Sequence, residues 1–365
     1  MTRPKIQALV CVFVVVGMLI VGLVPFRRPR NDVTWLGNQN GLRFGRRGIV
    51  VSSGSFPVAP LHSEPGCSLE MWVKAGVSDG SSTLLAFSTP ENPMQLWVHQ
   101  YGRVLVLKRM VGDATRPHGT IGIDGLFGRE PVFITITSGP ENTSIYIDGR
   151  RAESFARFRL ENDCTGRLVV GASTVDNDTW SGELFGLAVY QTQLSPAQVL
   201  QHYETWSTRG RLELAENEAP LALYFFDEHA GNVAHNAVRP GIDLSIPNRY
   251  SLLHQRFLEP FWKEYRPTRG YWIDVLINVF GFIPLGLVFC SFWSSVRPIK
   301  HPRLATIALG FAVSLTIELL QSYLPNRSSG TTDLLTNTFG TLLGVSLYAA
   351  AKAIFWRLRS PRPNT

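Results

Sequence analysis

Residues 314–344 read SLTIELLQSYLPNRSSGTTDLLTNTFGTLLG and connect two long apolar segments near the end of the chain. The stretch places Glu318, Gln321, Arg327, Asp333 and Asn337 between and inside these apolar segments. A charged side chain at the centre of a membrane-spanning helix costs about 2.5–3.5 kcal/mol. Glu318 and Gln321 are three residues apart and share one helix face, and Asp333 and Asn337 are four apart and share another. The short turn between them predicts that all of these side chains meet in one polar site, with Arg327 above it.

The preceding apolar segment adds a further polar residue and several small ones. Asn278 lies about one turn inside that segment and is expected to join the same site. Glycines let helices approach closely, and a proline inside a helix kinks it. We expect these packing or kinking positions at Gly281, Pro284, Gly286, Gly340 and Gly344. The alternative is that the polar residues only form hydrogen bonds between helices.

These residues also carry a family resemblance. The stretches NVFGFIPLG (278–286), ELLQ (318–321), Arg327 and DLLTNTFGTLLG (333–344) resemble the signature of the VanZ-like membrane proteins, bacterial proteins linked to teicoplanin resistance. The resemblance covers about residues 272–356, in order. It implies a helical membrane bundle that also uses the N-terminal helix, and it gives no biochemical activity.

Four apolar runs are long enough to cross a membrane: about residues 6–24, 272–293, 304–323 and 334–356. The short loop 297–303 and the tail 357–365 are basic, which predicts that both are cytoplasmic. Both termini are then cytoplasmic, and the central part of the chain is outside. The expected domains are an N-terminal transmembrane helix (1–26), an extracytoplasmic β domain (33–239), a linker at the membrane surface (240–271), three VanZ-like helices (272–356) and a basic cytoplasmic tail (357–365).

The central part has the pattern of an all-β jelly-roll sandwich, so the fold class is a β sandwich inserted in a four-helix transmembrane bundle. Short runs rich in β-branched and aromatic residues alternate with Gly, Pro, Asn and Asp. Asp148-Gly149 predicts a tight hairpin turn, because Gly accepts the positive φ that such a turn requires.

A second resemblance rests on SLEMWVK (68–74), IYIDGR (145–150), LVVG (168–171) and WSGELFGLAVYQTQLS (180–195). Together they look like the laminin-G/concanavalin A-like jelly roll over about residues 40–206. Some relatives bind calcium, which makes Asp176 and Asp178 weak calcium candidates, although a solvated turn is the alternative. Aromatic residues that either stack on sugars or pack in the core are Trp72, Trp97, Phe133, Tyr146 and Tyr190. Relatives that hydrolyse glycans need two carboxylates flanking a cleft, and no such closely spaced pair accompanies Glu70 or Glu183.

Composition limits the partners and cofactors. The net charge of +7 comes from basic residues clustered beside the apolar runs, which indicates contact with membrane lipid. No nucleic-acid-binding motif accompanies the charge. There is no CxxC or Cys/His metal spacing, and no cofactor is expected. Cys67 and Cys164 both lie in the central domain and can form a disulfide if that domain is outside the cytoplasm.

The leading hypothesis is an integral membrane protein of the bacterial cell envelope. Its jelly roll binds a glycan or cell-wall polymer, and its bundle carries a polar site of unknown ligand. The first alternative is that the VanZ-like bundle catalyses a reaction of, or transports, a lipid-linked cell-wall precursor or phosphate. The second is a structural or interaction protein. Catalysis stays open, with a non-enzymatic role favoured.

Overall fold

The computed structural model describes residues 3–24, 29–58, 66–77, 80–110, 119–212, 214, 218, 220–238, 241–254, 257–265, 269–324 and 329–359. The chain divides into two compact units. The helical unit comprises residues 1–28 and 255–365, and the β unit comprises residues 29–254.

The described residues contain six α-helices in chain order: α1 (Arg3–Leu23), α2 (Pro196–Arg209), α3 (Phe261–Glu264), α4 (Arg269–Ser291), α5 (Pro302–Gln321) and α6 (Thr331–Arg359). Helix α2 belongs to the β unit and the others belong to the helical unit. A π-helical turn, Phe292–Val296, continues α4.

The helices α1, α4, α5 and α6 are long and apolar enough to cross a membrane. A bilayer interior needs about 20 predominantly apolar residues, which explains why the sequence predicts all four. The core between α4 and α5 contains Phe282, Leu285, Val313 and Ile317, against which side chains of α1 pack.

Helix α6 packs closely on α4 through glycines. A Cβ atom at Gly340 would collide with the backbone oxygen of Val279, and one at Gly344 with that of Ile283. Gly286 meets the backbone of Thr341 in the same way. The sequence predicts a packing position at Gly281 as well, but the structure differs there. Gly281 is exposed, and a Cβ atom at this position would meet nothing within 4 Å. Pro284 lies inside α4, and its side chain is exposed.

The β unit is built from sixteen described strands: β1 (Val33–Trp35), β2 (Leu42–Phe44), β3 (Val50–Ser52), β4 (Cys67–Ala75), β5 (Ser81–Ser88), β6 (Leu96–Tyr101), β7 (Val104–Arg109), β8 (Gly119–Ile123), β9 (Val132–Ser138), β10 (Thr143–Ile147), β11 (Arg150–Phe155), β12 (Arg167–Val170), β13 (Gly182–Tyr190), β14 (Ala222–Tyr224), β15 (Val233–Ala234) and β16 (Leu244–Ser245). All of them pair antiparallel. The first sheet has the order β1-β2-β13-β4-β9-β10-β11, with β14 paired to β13, and the second has the order β15-β16-β3-β12-β5-β6-β7-β8.

The main core lies between the two sheets, because successive side chains of a strand point to opposite faces. On β4, for example, Leu69, Met71 and Val73 are buried in this core. The predicted jelly-roll sandwich is therefore confirmed. The Asp148-Gly149 turn between β10 and β11 has φ values of 49° and 73°, as a tight hairpin requires.

Helix α2 covers the opposite face of the first sheet. Val199 and Trp206 of α2 pack against Phe133 and Tyr190 of the sheet. The helix begins with a capping box, in which the Ser195 hydroxyl accepts from the backbone N–H of Gln198. It ends at Gly210, whose φ of 65° suits glycine.

The β unit extends beyond the expected boundary at residue 239. Leu244–Ser245 forms β16 and pairs with β3, and Tyr250 is buried beside Val169. Residues 241–254 therefore belong to the β unit, where the sequence predicted linker. Two-residue strands carry too little alternation to be recognised in sequence.

Candidate functional site

The polar residues of the helical unit gather where α5 ends and α6 begins. Glu318 lies near the end of α5 and is only 1% exposed. One of its carboxylate oxygens accepts a hydrogen bond from the backbone N–H of Gly330 at 2.9 Å. The negative charge of Asp333, in the first turn of α6, lies close enough to act on this carboxylate. Two predicted site residues on different helices are therefore neighbours.

Asn278 and Asp333 are in direct contact. The side-chain amide of Asn278 on α4 donates to the Asp333 carboxylate at 2.7 Å. Asn337, one turn further along α6, donates to the Ser314 hydroxyl on α5 at 3.0 Å. Ser314 precedes Glu318 by one helical turn. The Asn337 amide oxygen is buried and has no hydrogen-bond partner among the described residues.

Gln321 is oriented differently from the other predicted residues. Its side-chain amide donates to the backbone oxygen of Gly22 on α1 at 2.8 Å. This bond connects α5 to α1, so Gln321 serves the contact between helices. Arg327 lies outside the described residues, and its position above the site stays a prediction.

Glu264, which the sequence prediction missed, lies in the same group. Its carboxylate accepts from the backbone N–H of Thr332 at 2.8 Å, and a Cβ atom at Gly330 would collide with it. The charge of Glu264 also acts on the Glu318 carboxylate. The sequence could not predict this contact, because α3 has only four residues and no periodic pattern relates it to α6.

Together these groups accept hydrogen bonds from the backbone N–H groups at the start of α6. The first N–H groups of a helix have no partner within it. Gly330 donates to Glu318, Thr332 to Glu264, and Thr331 to the backbone oxygen of Glu259 at 2.9 Å. Carboxylates near a helix N-terminus are favoured by the helix dipole. The arrangement stabilises α6 and places three acids, Glu264, Glu318 and Asp333, within one small region.

The β unit contains a separate buried ionic group. Glu70 on β4 is fully buried, and its carboxylate accepts from the Tyr190 hydroxyl at 2.9 Å. His202 on α2 lies 2.9 Å from Glu70 and 3.0 Å from Glu218. Burial acts to lower the pKa of His202, but the two carboxylates outweigh it and raise the pKa above its usual value. This group fastens α2 to the first sheet and leaves Glu70 inaccessible to a substrate.

The aromatic residues predicted to stack on sugars and the aspartates predicted to bind calcium lie in different surroundings in the β unit. Phe133, Tyr146 and Tyr190 are buried under α2 and cannot stack on a sugar. Trp72 and Trp97 are half-buried. The Asp178 carboxylate accepts from the Thr83 hydroxyl at 2.9 Å and lies 3.4 Å from His99. The Asp176 carboxylate accepts from the backbone N–H of Asp178 at 3.3 Å.

In the part of the chain that the structure describes, no three His, Cys, Asp or Glu side chains converge as a metal site would require. Cys67 and Cys164 are joined by a disulfide, with their Cα atoms 6.4 Å apart. Cys11 and Cys290 are free and buried.

Two family models match the chain. Residues 192–355 match the VanZ/LLP1 model, and residues 51–200 match the model of the concanavalin A-like lectin/glucanases superfamily. Both matches agree with the two family resemblances that the motifs predict, a VanZ-like part and a concanavalin A-like jelly roll. No curated protein matches the chain.

Similar solved structures cover about half of the chain. The binding domain of botulinum neurotoxin DC in complex with rat synaptotagmin II has 12% identity and a TM-score of 0.36, and the match covers 48% of this chain and 46% of that chain. The native heptameric SAP-like pentraxin from Limulus polyphemus has 15% identity and a TM-score of 0.33, covering 57% and 99%. The chain thus spans about half the length of the neurotoxin chain. Likenesses at these scores support no functional inference.

Proposed function

We propose that this chain is an integral membrane protein of the bacterial cell envelope that binds a glycan or another envelope polymer through its β unit. The observation that carries the proposal is that one chain combines a match to a concanavalin A-like model with four helices long and apolar enough to cross a membrane. Binding is favoured over hydrolysis, because glycoside hydrolysis needs two carboxylates flanking a cleft. Glu70 is fully buried against His202, and Glu183 is paired with Arg43.

We place the β unit outside the cytoplasm and both termini inside. The basic loop 297–303 and the basic tail support this orientation. The disulfide between Cys67 and Cys164 also supports it, because disulfides persist in oxidising compartments. An external β unit faces the polymers that it is proposed to bind.

The group of Glu264, Glu318 and Asp333 is the proposed intramembrane site. Glu264 and Glu318 accept hydrogen bonds at the start of α6, and Asp333 lies in its first turn, so these residues have a structural role in any case. The unpartnered amide oxygen of Asn337 favours an additional ligand-binding role, because a buried polar atom without a partner costs about 1–3 kcal/mol. Catalysis on, or transport of, a lipid-linked precursor or phosphate is the second candidate function of this site, and it would need Arg327 to contact the phosphate.

Capture on purified full-length protein tests both parts. The protein in phosphatidylcholine nanodiscs is passed over beads carrying peptidoglycan fragments or chitotetraose, and the lipid that copurifies with it is measured by mass spectrometry. We expect retention on at least one glycan, and equal retention for Glu318→Gln, since that residue lies in the helical unit. Glu318→Gln should reduce the copurifying lipid.

Two results would count against the proposal. If the wild type is retained on no glycan bead, the β unit does not bind envelope glycans. If wild type and Glu318→Gln carry the same lipid in the same amount, the acids of the helical unit have only a structural role.

A further inference from the structure

A cleft of about 410 Å³ opens in the β unit between the first and last segments of that unit. Arg30 and Arg249 both line it, and they face each other in an isolated antiparallel bridge. The backbone N–H of Asn31 donates to the backbone oxygen of Asn248 at 3.3 Å, and that of Tyr250 to Pro29 at 3.1 Å. The two walls are thus held together by main-chain hydrogen bonds.

The shape of the cleft is fixed without a ligand. The Asn31 side-chain amide donates to the backbone oxygens of Ile49 and Pro247, both at 2.8 Å, and accepts from the N–H of Ile49 at 2.9 Å. On the other side, the N–H of Ile246 donates to the backbone oxygen of Asn232 at 2.8 Å. A preformed site loses less entropy when it binds a ligand than a flexible one does.

The two arginines give the cleft its chemistry. Residues directly opposite in an antiparallel pair lie on the same face, with Cβ atoms about 4.5–5.5 Å apart, and like charges in that position are destabilising. Both Arg30 and Arg249 are exposed. Arg30 forms no ion pair with a carboxylate in the described ranges. An anion bound in the cleft would attract both guanidinium groups.

A phosphate fits this pair better than a carboxylate does. Each guanidinium can donate two parallel hydrogen bonds to an anion. A carboxylate has only two oxygens and satisfies one such fork, whereas a phosphate has more oxygens to share between two. The amides of Asn232 and Asn248 and the apolar side chain of Val33 line the rest of the cleft. They suit the polar and CH groups of a polyol or sugar attached to the phosphate.

We propose that this cleft binds the phosphate ester of an envelope polymer or of a lipid headgroup, with Arg30 and Arg249 on the phosphate. The inference rests on the proposed function and gives it a ligand chemistry. It is independent of the acids in the helical unit.

Fluorescence anisotropy of labelled poly(glycerol phosphate) tests the inference, with the full-length protein in phosphatidylcholine nanodiscs. The double variant Arg30→Gln/Arg249→Gln is compared with Arg150→Gln/Arg151→Gln, which removes the same charge from exposed positions on β11. We expect the first to raise the Kd at least about tenfold, because each lost charge-assisted contact is strong. The control should stay within about twofold of the wild type.

A second arm identifies the source of the phosphate. Nanodiscs containing phosphatidylglycerol should compete with the polymer for the wild type if the cleft also accepts a lipid headgroup, and should leave its Kd unchanged if only the polymer reaches it. The single variant Arg30→Gln, whose side chain has no ion pair to lose in the described residues, provides the same test if the double variant fails to fold. It should raise the Kd at least about threefold, which corresponds to roughly half of the loss in binding free energy expected for the double variant.

Three outcomes would overturn the inference. The first is that the arginine variants bind the polymer like the wild type, and the second is that the control variant loses as much affinity as they do. The third is that the wild type binds neither the polymer nor anionic lipid. Retention on beads carrying chitotetraose, which has no charge, does not depend on this arginine pair. Glycan binding that persists while the anisotropy experiment fails would therefore reject the cleft and leave the proposed function standing.

Discussion

At the scale of single residues, the two units bury acids in opposite settings. In the β unit, Glu70 and Glu218 flank His202, which supplies a compensating charge. In the helical unit, Glu318 accepts from the backbone N–H of Gly330 and lies near two further acids, Asp333 and Glu264. Removing one partner of a buried pair costs more than the pair contributes, because the remaining charge is left uncompensated.

His202 should make the β unit less stable at high pH. Its pKa is raised in the folded protein by Glu70 and Glu218, which together outweigh burial. The stability that it contributes is therefore fully present below the unfolded pKa of about 6.5 and is lost as pH rises through the folded pKa. Thermal unfolding of a fragment of residues 29–254 should occur at lower temperature as pH increases in this range. His202→Gln should unfold at lower temperature than the wild type and show less of this pH dependence. Equal pH dependence in both proteins would contradict the assignment.

Glu318→Leu should destabilise the helical unit more than Glu318→Gln. The amide oxygen of Gln can still accept from the N–H of Gly330, whereas Leu leaves that buried group without a partner. The loss should be about 1–3 kcal/mol. Thermal unfolding of both full-length variants in one detergent measures the difference. Equal unfolding temperatures for Leu and wild type would show that the Gly330 contact does not matter.

At the scale of elements, long apolar runs and strand alternation are visible in sequence, and short contacts are not. The four long helices and strands such as β4 follow from periodicity and length. The start of α6 depends on Glu264 and Glu259 from a segment about 70 residues earlier, and no periodic pattern relates the two. The same holds for β16, whose two residues join the second sheet from a stretch that reads as linker.

The contact between α4 and α6 provides a matched pair of glycine substitutions. Gly344→Ala would place a methyl group against backbone atoms of Ile283 and Gly286, which cannot move without shifting a helix. Overpacking of this kind costs about 1–3 kcal/mol. Gly281→Ala, on an exposed face of α4, should be neutral or stabilising by up to about 1 kcal/mol, because Ala favours helix. Thermal unfolding of the two full-length variants should show a lower unfolding temperature for Gly344→Ala and an unchanged or higher one for Gly281→Ala. An equal decrease in both variants would contradict the packing.

The disulfide should stabilise the β unit strongly. Cys67 and Cys164 are separated by 97 residues, and closing a loop of that length contributes about 4–5 kcal/mol in the chain-entropy model. Reduction of the 29–254 fragment should lower its unfolding temperature and leave a cooperative transition, because the sheets keep their own core. Alkylation before and after reduction, read by mass spectrometry, checks that the bond is present. A fragment whose unfolding temperature is unchanged by reduction would show that the bond contributes little.

At the scale of the whole molecule, the proposed binding of envelope polymers depends on which side of the membrane the β unit occupies. Envelope polymers lie outside the cytoplasm, so a β unit on the inside could not bind them. The jelly roll and the four helices long and apolar enough to cross a membrane follow from sequence motifs and agree with the family models. Orientation rests on the charges of short loops and on the disulfide.

Cysteine accessibility in intact cells tests this central claim most directly. Single cysteines are introduced at Gly80 in the β unit and at Lys300 in the loop between α4 and α5, and the parent protein, whose free cysteines Cys11 and Cys290 are buried, serves as the blank. A membrane-impermeant maleimide should label the Gly80 variant in intact cells and the Lys300 variant only after permeabilisation. Labelling of the Lys300 variant in intact cells, with the Gly80 variant protected until permeabilisation, would contradict the orientation and with it the proposed binding of envelope polymers.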